Sequence, residues 1–169
     1  MAGSRAQGSD DPSSSVRRVA RPSRSLHATA RFFDMTVQLA KLAVDLGIVI
    51  RDSERSLSFY CGLLGLEHVA DVPMPIGGGG TMHRVQCGDS LLKLVSYDTT
   101  PPPAAGAGVN GALGYRYLTM IVSNLEEIMQ QCRDAGVPVA VPVTEVRPGV
   151  TIGIVEDPDG NWVEFVEAV

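Results

Sequence analysis

No apolar run in this chain approaches the roughly 20 residues that carry a helix across a bilayer, so a soluble protein without a membrane anchor is expected. Cysteine is scarce and odd in number. Cys61, Cys87 and Cys132 lie far apart in no metal-ligand spacing, which argues against a disulfide framework and a thiolate metal site and fits reduced thiols in the cytoplasm. Aromatic residues make up 5% of the chain, with a single Trp, too few for a broad stacking cleft. Positive charge is short in the body, where residues 35–169 hold eight Lys or Arg against sixteen Asp or Glu; that balance excludes a nucleic-acid face. The glycine run Gly77–Gly80 is followed by no Lys-Ser/Thr and opens no helix, which excludes a phosphate loop.

What is present suffices for one domain: 169 residues, 44% of them hydrophobic, can bury a core. Residues 1–34 are set apart by six Arg, three Asp and little apolar content, and are expected to be a disordered extension. They have no apolar centre for a secretory signal; an Arg- and Ser-rich organelle leader and a natural start at Met35 are both open readings.

Residues 35–169 say nearly the same thing twice. Leu42 to Asp52, with the helical stretch Ser53 to Tyr60, is echoed by Gly114 to Asn124 and the helical Leu125 to Ala135, at an offset of 72 residues from 45 to 117. A strand closes each half, Leu91–Val95 and Trp162–Val166. The duplicated unit implies symmetry-related positions in space, with modules over about 41–98 and 114–168 joined by a linker over 99–113. Further strands are expected at about 67–72, 82–87, 139–143 and 150–156. Asp52 or Ser53 caps the first helix, which Gly62 ends; Ser123 or Asn124 opens the second with a capping box to Glu126 or Glu127. Asp157-Pro-Asp-Gly160 reads as a turn. The segments Pro73–Gly80 and Pro101–Gly108 are candidate mobile rims or lids.

Strand parity selects the candidate site. Successive side chains point to opposite faces, so Val44, Leu46, Ile48 and Ile50 oppose Asp45, Gly47 and Val49, and Leu92 and Leu94 oppose Lys93. In the second half, Leu118, Met120 and Val122 oppose Tyr117 and Thr119, and Val163 and Phe165 oppose Trp162 and Glu164. The apolar faces belong against the helices. The other faces place Asp45, Lys93, Tyr117 and Glu164 in a second environment, where a pseudo-twofold axis would bring them together. Trp162 and Thr119 share it as candidate substrate contacts. His83 is a third, although a lone histidine near a strand end is commonly structural.

Two motifs carry a family likeness: Asp52-Ser-Glu-Arg-Ser-Leu-Ser-Phe-Tyr60 running on to Leu64-Gly-Leu66, and Asp157-Pro-Asp-Gly-Asn-Trp-Val-Glu-Phe-Val-Glu167. Together they resemble the vicinal-oxygen-chelate superfamily of glyoxalases, bleomycin-resistance proteins and extradiol dioxygenases, over about 41–168. The resemblance implies an α+β fold of two tandem βαβββ modules forming a half-open barrel around a small-molecule cavity, and a homodimer. In metal-dependent members one residue from each of four strands holds a divalent ion, and those positions correspond to Asp45, Lys93, Tyr117 and Glu164. Only Glu164 is of the usual type. A protonated Lys93 has no lone pair to coordinate with and would be repelled by the ion, so no metal cofactor is expected; were one bound, Asp45 and Glu164 would be its ligands.

Three functions follow as expectations. The first is a metal-independent lyase or isomerase for a carbonyl-bearing metabolite, with Asp45 or Glu164 as base and Lys93 or Tyr117 stabilising an oxyanion. The second is a non-catalytic protein that sequesters a drug or metabolite. The third is a metal-dependent glyoxalase or dioxygenase with atypical ligands.

Overall fold

The computed structural model describes Val37, residues 39–103, Gly108 and residues 110–168. The expectations for 1–34 lie outside the described residues, as does part of the 99–113 linker. From residue 40 onward the chain forms one compact unit.

Two four-stranded mixed sheets repeat one topology. The first module comprises β1 (Leu46–Ile50), α1 (Ser53–Leu57), β2 (Glu67–Pro73), β3 (Gly80–Cys87) and β4 (Ser90–Tyr97); the second comprises β5 (Tyr117–Ile121), α2 (Leu125–Asp134), β6 (Val139–Arg147), β7 (Val150–Glu156) and β8 (Trp162–Ala168). The strand orders are β1-β4-β3-β2 and β5-β8-β7-β6. In each sheet the first and last strands run parallel and the remaining pairs antiparallel. These are two tandem βαβββ modules, and their sheets do not close.

The duplication is exact enough to align positions: Gly47 stands beside Lys93 as Thr119 stands beside Glu164. The even-numbered residues of β1 and β4 supply Ile50, Leu92 and Leu94 to a core that also takes Leu125, Met129, Cys132, Val163 and Phe165 from the second module. Burying these side chains contributes on the order of 2 kcal/mol each, and the core is common to both halves.

The first helix begins as expected, and the helices then differ from expectation in three ways. Asp52 caps α1, its carboxylate accepting from the Arg55 amide at 3.0 Å, which leaves Ser53 for another contact. After Leu57 the helix widens into a π-helical turn, Ser58–Leu63, which puts the adjacent Phe59 and Tyr60 both into the core, edge to face at 4.9 Å. Gly62 lies inside this turn, and Gly65, at φ 72°, reverses the chain instead, a conformation that a Cβ would disfavour. Asn124 opens α2 without a side-chain cap bond, so the expected capping box does not form.

The glycine run Gly77–Gly80 is an answer to crowding. Each of its residues has positive φ, and a Cβ on Gly80 would collide with the Ser96 carbonyl. The run is tied to its surroundings by the Met74 amide donating to Gly80 O at 2.9 Å and the Asp98 amide donating to Gly79 O at 3.2 Å.

The turn Asp157–Gly160 joins the modules. Asp157 is buried and accepts from the Tyr60 hydroxyl at 2.9 Å, the Asp159 amide at 3.0 Å, the Asn161 amide at 2.8 Å and the Asn161 side-chain amide. Burial, followed by the charge of Asp157, pushes the Tyr60 phenol far above its usual range, so it serves as a neutral donor. Asp159 accepts from the Arg51 amide at 3.1 Å, and Gln131 on α2 donates to Leu63 O at 2.8 Å.

Candidate functional site

Parity resolves the sequence-selected residues into two pairs, one per module. In the first, Lys93 Nζ lies 3.2 Å from Asp45 Oδ2, while Asp45 Oδ1 accepts from Lys41 and from the Leu91 amide at 3.0 Å. Asp45 sits one residue ahead of β1 rather than within it, and Val44 is exposed instead of packed under a helix. In the second module Thr119 donates to Glu164 Oε2 at 2.6 Å. Tyr117 is half exposed. Among the described residues no hydrogen bond or ion pair links one pair to the other.

Lys41 above all, then the Leu91 amide and Lys93, holds the Asp45 carboxyl well below the usual carboxylate range. A group so stabilised in its charged form is a weak base. Both its oxygens are already engaged, Oδ1 by Lys41 and the Leu91 amide and Oδ2 by Lys93. This carboxylate is partly exposed and keeps Lys41 and Leu91 without Lys93, so the ion pair adds little to folding. Lys93→Met is therefore expected to shift the melting midpoint by no more than about 2 °C. A scanning-calorimetry loss several times larger would show that Lys93 organises the sheet. The Asp45 contribution works in one direction only. It is present above the ordinary carboxylate pKa of about 4 and fades as pH falls below it.

His83 does not belong to this environment. In register it faces Leu94, whereas Lys93 faces Arg84, so His83 lies on the opposite side of the sheet, turned toward α1. It is buried, with Nε2 2.7 Å from Ser53 Oγ and Nδ1 2.6 Å from Asp71 Oδ1. His83 thus stands on the helix face, apart from Trp162 and Thr119, as the structural reading of a lone histidine has it. Arg84, which parity applied to β3 would have found, takes its place beside Lys93.

Tyr117 and Trp162 border concave space at the seam between β1 and β5. A cavity of about 350 Å³ is bounded by Val49 to Arg51, Thr100 to Pro103, Tyr115, Arg116 and Asp159 to Trp162. A second, of about 200 Å³, runs along Leu46 to Val49 and Tyr115 to Leu118 and shares Val49, Tyr115, Arg116, Asn161 and Trp162 with the first. Tyr117 and Trp162 are thus the two sequence-selected residues that line it. Trp162 is held by its indole N–H donating to Glu156 Oε1 at 3.4 Å and lies against Gly108. Arg116 donates from Nε and Nη2 to Gly108 O at 3.1 and 2.7 Å, so the linker is fastened to the cavity wall. Tyr115 and Arg116 were not singled out from sequence. The signal was the run Gly114-Tyr-Arg-Tyr117, which concentrates aromatic and cationic groups in a chain poor in both.

The three thiols offer no nucleophile here. All are free, and burial pushes each above its usual pKa, which favours the unreactive protonated form.

The family model for the Glyoxalase/Bleomycin resistance protein/Dioxygenase superfamily matches residues 39–165. Among solved structures, a glyoxalase family protein from Bacillus cereus is 17% identical, with 80% of this chain and 98% of that one covered and a TM-score of 0.68. The antibiotic-binding protein TnmS3 from a Streptomyces species is 22% identical, with 78% and 100% covered and a TM-score of 0.58. Leishmania major glyoxalase I, described as trypanothione-dependent, is 23% identical, with 73% and 84% covered and a TM-score of 0.56. At these identities the likeness is one of fold. No curated protein matches the chain.

Proposed function

The chain belongs to the glyoxalase/bleomycin resistance protein/dioxygenase superfamily, and from that premise we propose that it is a small-molecule-binding protein whose ligand lies in the seam between its modules, without a divalent metal at the four family positions. The observation that carries this reading is the seam itself. It combines an anchored indole, two tyrosines and an arginine at adjoining cavities of about 350 and 200 Å³, the mix of apolar wall and few polar groups that holds a compact planar ligand. The arginine side chain and the neighbouring Asn161 suit a carbonyl or carboxylate on that ligand. The fold is shared with an antibiotic-binding protein, which accords with sequestration.

The metal-free part of the reading rests on donor chemistry: a lysine occupies one position and pairs with the carboxylate of another. Asp45→Ala and Glu164→Ala are expected to leave the metal content of the purified protein unchanged. Exposed Val49, Tyr117 and Ile121 on and beside the seam suit cover by a second copy, so a homodimer in light scattering is part of the proposal.

A second reading, turnover by proton transfer as in a lyase or isomerase, is favoured by Glu164. Its carboxylate is held by one short bond from Thr119 and carries no cation partner among the described residues, whereas Asp45 is bound to two lysines. Trp162 is the only tryptophan in the chain, so its fluorescence reports the seam directly. A library of planar carbonyl- or carboxylate-bearing compounds is expected to yield ligands that change this emission saturably, with the same Kd by calorimetry. Product analysis of each hit then separates the two readings, since turnover that vanishes in Glu164→Gln while binding persists would establish the enzyme. Ligands that bind without altering Trp162 emission would place the site elsewhere.

A further inference from the structure

On the helix side of the first sheet, away from the seam, two histidines and an aspartate meet. His68 Nε2 lies 2.7 Å and His83 Nδ1 2.6 Å from the same oxygen, Asp71 Oδ1. All three ligating atoms fall within 4.8 Å of one another. Their meeting depends on an irregularity in β2. In an unbroken strand, residues 68 and 71 would point to opposite faces. The register shift between His68 and Ala70 lets His68 pair with Val85 and Asp71 with His83, so both turn to the helix side. A bulge that re-aims a side chain in this way is a common device of functional sites.

We propose that His68, Asp71 and His83 form a binding site for a divalent transition metal of the zinc type. Two neutral imidazoles and a carboxylate are the donor set that zinc, nickel and cobalt take, while calcium and magnesium prefer all-oxygen sites. Three protein ligands leave a fourth position for water or another small ligand. The site is graded in exposure, with His83 at its floor and the side chains of His68 and Asp71 about 35% and 52% exposed at its mouth, so an ion can enter.

Ser53 Oγ, 2.7 Å from His83 Nε2, provides the outer partner that fixes a ligating imidazole in the tautomer with its Nδ1 lone pair free. Coordination through His68 Nε2 and His83 Nδ1 requires the ring protons to sit on His68 Nδ1 and His83 Nε2. Tetrahedral coordination at about 2.1 Å sets ligand atoms roughly 3.4 Å apart, so the two imidazole–Asp71 contacts, now 2.7 and 2.6 Å, must lengthen by less than about 1 Å. Asp71 is solvent-exposed and on the outer strand of the sheet, where that movement meets little resistance.

Zinc titrated into the full chain at pH 7.5 is expected to bind at one equivalent by calorimetry and to raise the melting midpoint by about 5 °C when in hundredfold excess over Kd. His68→Ala and Asp71→Asn alter exposed side chains and should fold as before, checked by circular dichroism without zinc, yet each should weaken binding at least a hundredfold. Ser53→Ala should weaken it about tenfold. Asp45→Asn and Glu164→Gln, on the opposite face of their sheets, should leave the zinc affinity as it is. Absence of binding by the full chain at 100 μM zinc, or undiminished binding in His68→Ala and Asp71→Asn, would overturn the proposal.

Discussion

Asp157→Ala is expected to lower the melting midpoint by roughly 10 °C, the largest stability loss of any single substitution at the module junction. Asp157 is 4% exposed and gathers donors from three residues, Tyr60 on the π-helical turn of the first module and Asp159 and Asn161 in the second. Removing the carboxylate strands the Tyr60 hydroxyl, which is fully buried, and two backbone amides of the turn. Each buried unpartnered donor costs about 1–3 kcal/mol, so a total near 3–4 kcal/mol is reached even if water rescues the outer amide. For a domain of this size that corresponds to about 10 °C. Tyr60→Phe should cost far less, about 3 °C, because it deletes donor and need together while the other bonds remain. Calorimetric scans of the two variants test this ordering. A fall of under 3 °C in Asp157→Ala would mean that the turn holds its shape without its central acceptor.

The largest expected functional effect is at Trp162. Trp162→Ala should weaken binding of a planar seam ligand by about a hundredfold, the loss of a large apolar wall plus an aromatic contact. Calorimetry is the suitable measurement, since the variant has no tryptophan to report. Trp162→Phe keeps a ring and should stay within about tenfold of the parent. The indole also lies against Gly108, so the alanine variant loosens the linker fastened there by Arg116. Comparison with Arg116→Lys, which forfeits the paired bonds to Gly108 O, separates the wall from the strap. Equal affinity in Trp162→Ala and the parent would remove the seam as the binding site.

Much of the architecture was legible because the chain repeats itself and its strands alternate. Leu92, Leu94, Val163 and Phe165 announced the buried faces by period alone, and the strand positions followed from the duplication. The site was less legible. Parity says which face a side chain takes, but not how far apart two faces lie, so Asp45 with Lys93 and Thr119 with Glu164 emerged as separate pairs. The face taken by His83 was not legible, because the face of β3 depends on its register with β4, which no local pattern reveals. The bulge at Val69 that joins His68 to Asp71 was equally invisible, since one extra residue inverts the parity of everything beyond it. Lys41, ahead of the strand, entered only through its contact with Asp45.

The irregularities of the outer strands also bear on how the protein avoids its own kind. β2 and β6, at the far edges of the two sheets, carry register shifts, and Pro73 and Pro142 withhold amide donors there. Such edges make poor templates for a foreign strand. The inner edges differ: β1 and β5 are regular throughout, short and rich in Leu, Ile and Val or Met. These are the adhesive edges of the fold, and they lie at the seam. A ligand seated in the seam, as proposed, would stand between these two edges and so hinder the approach of a foreign strand.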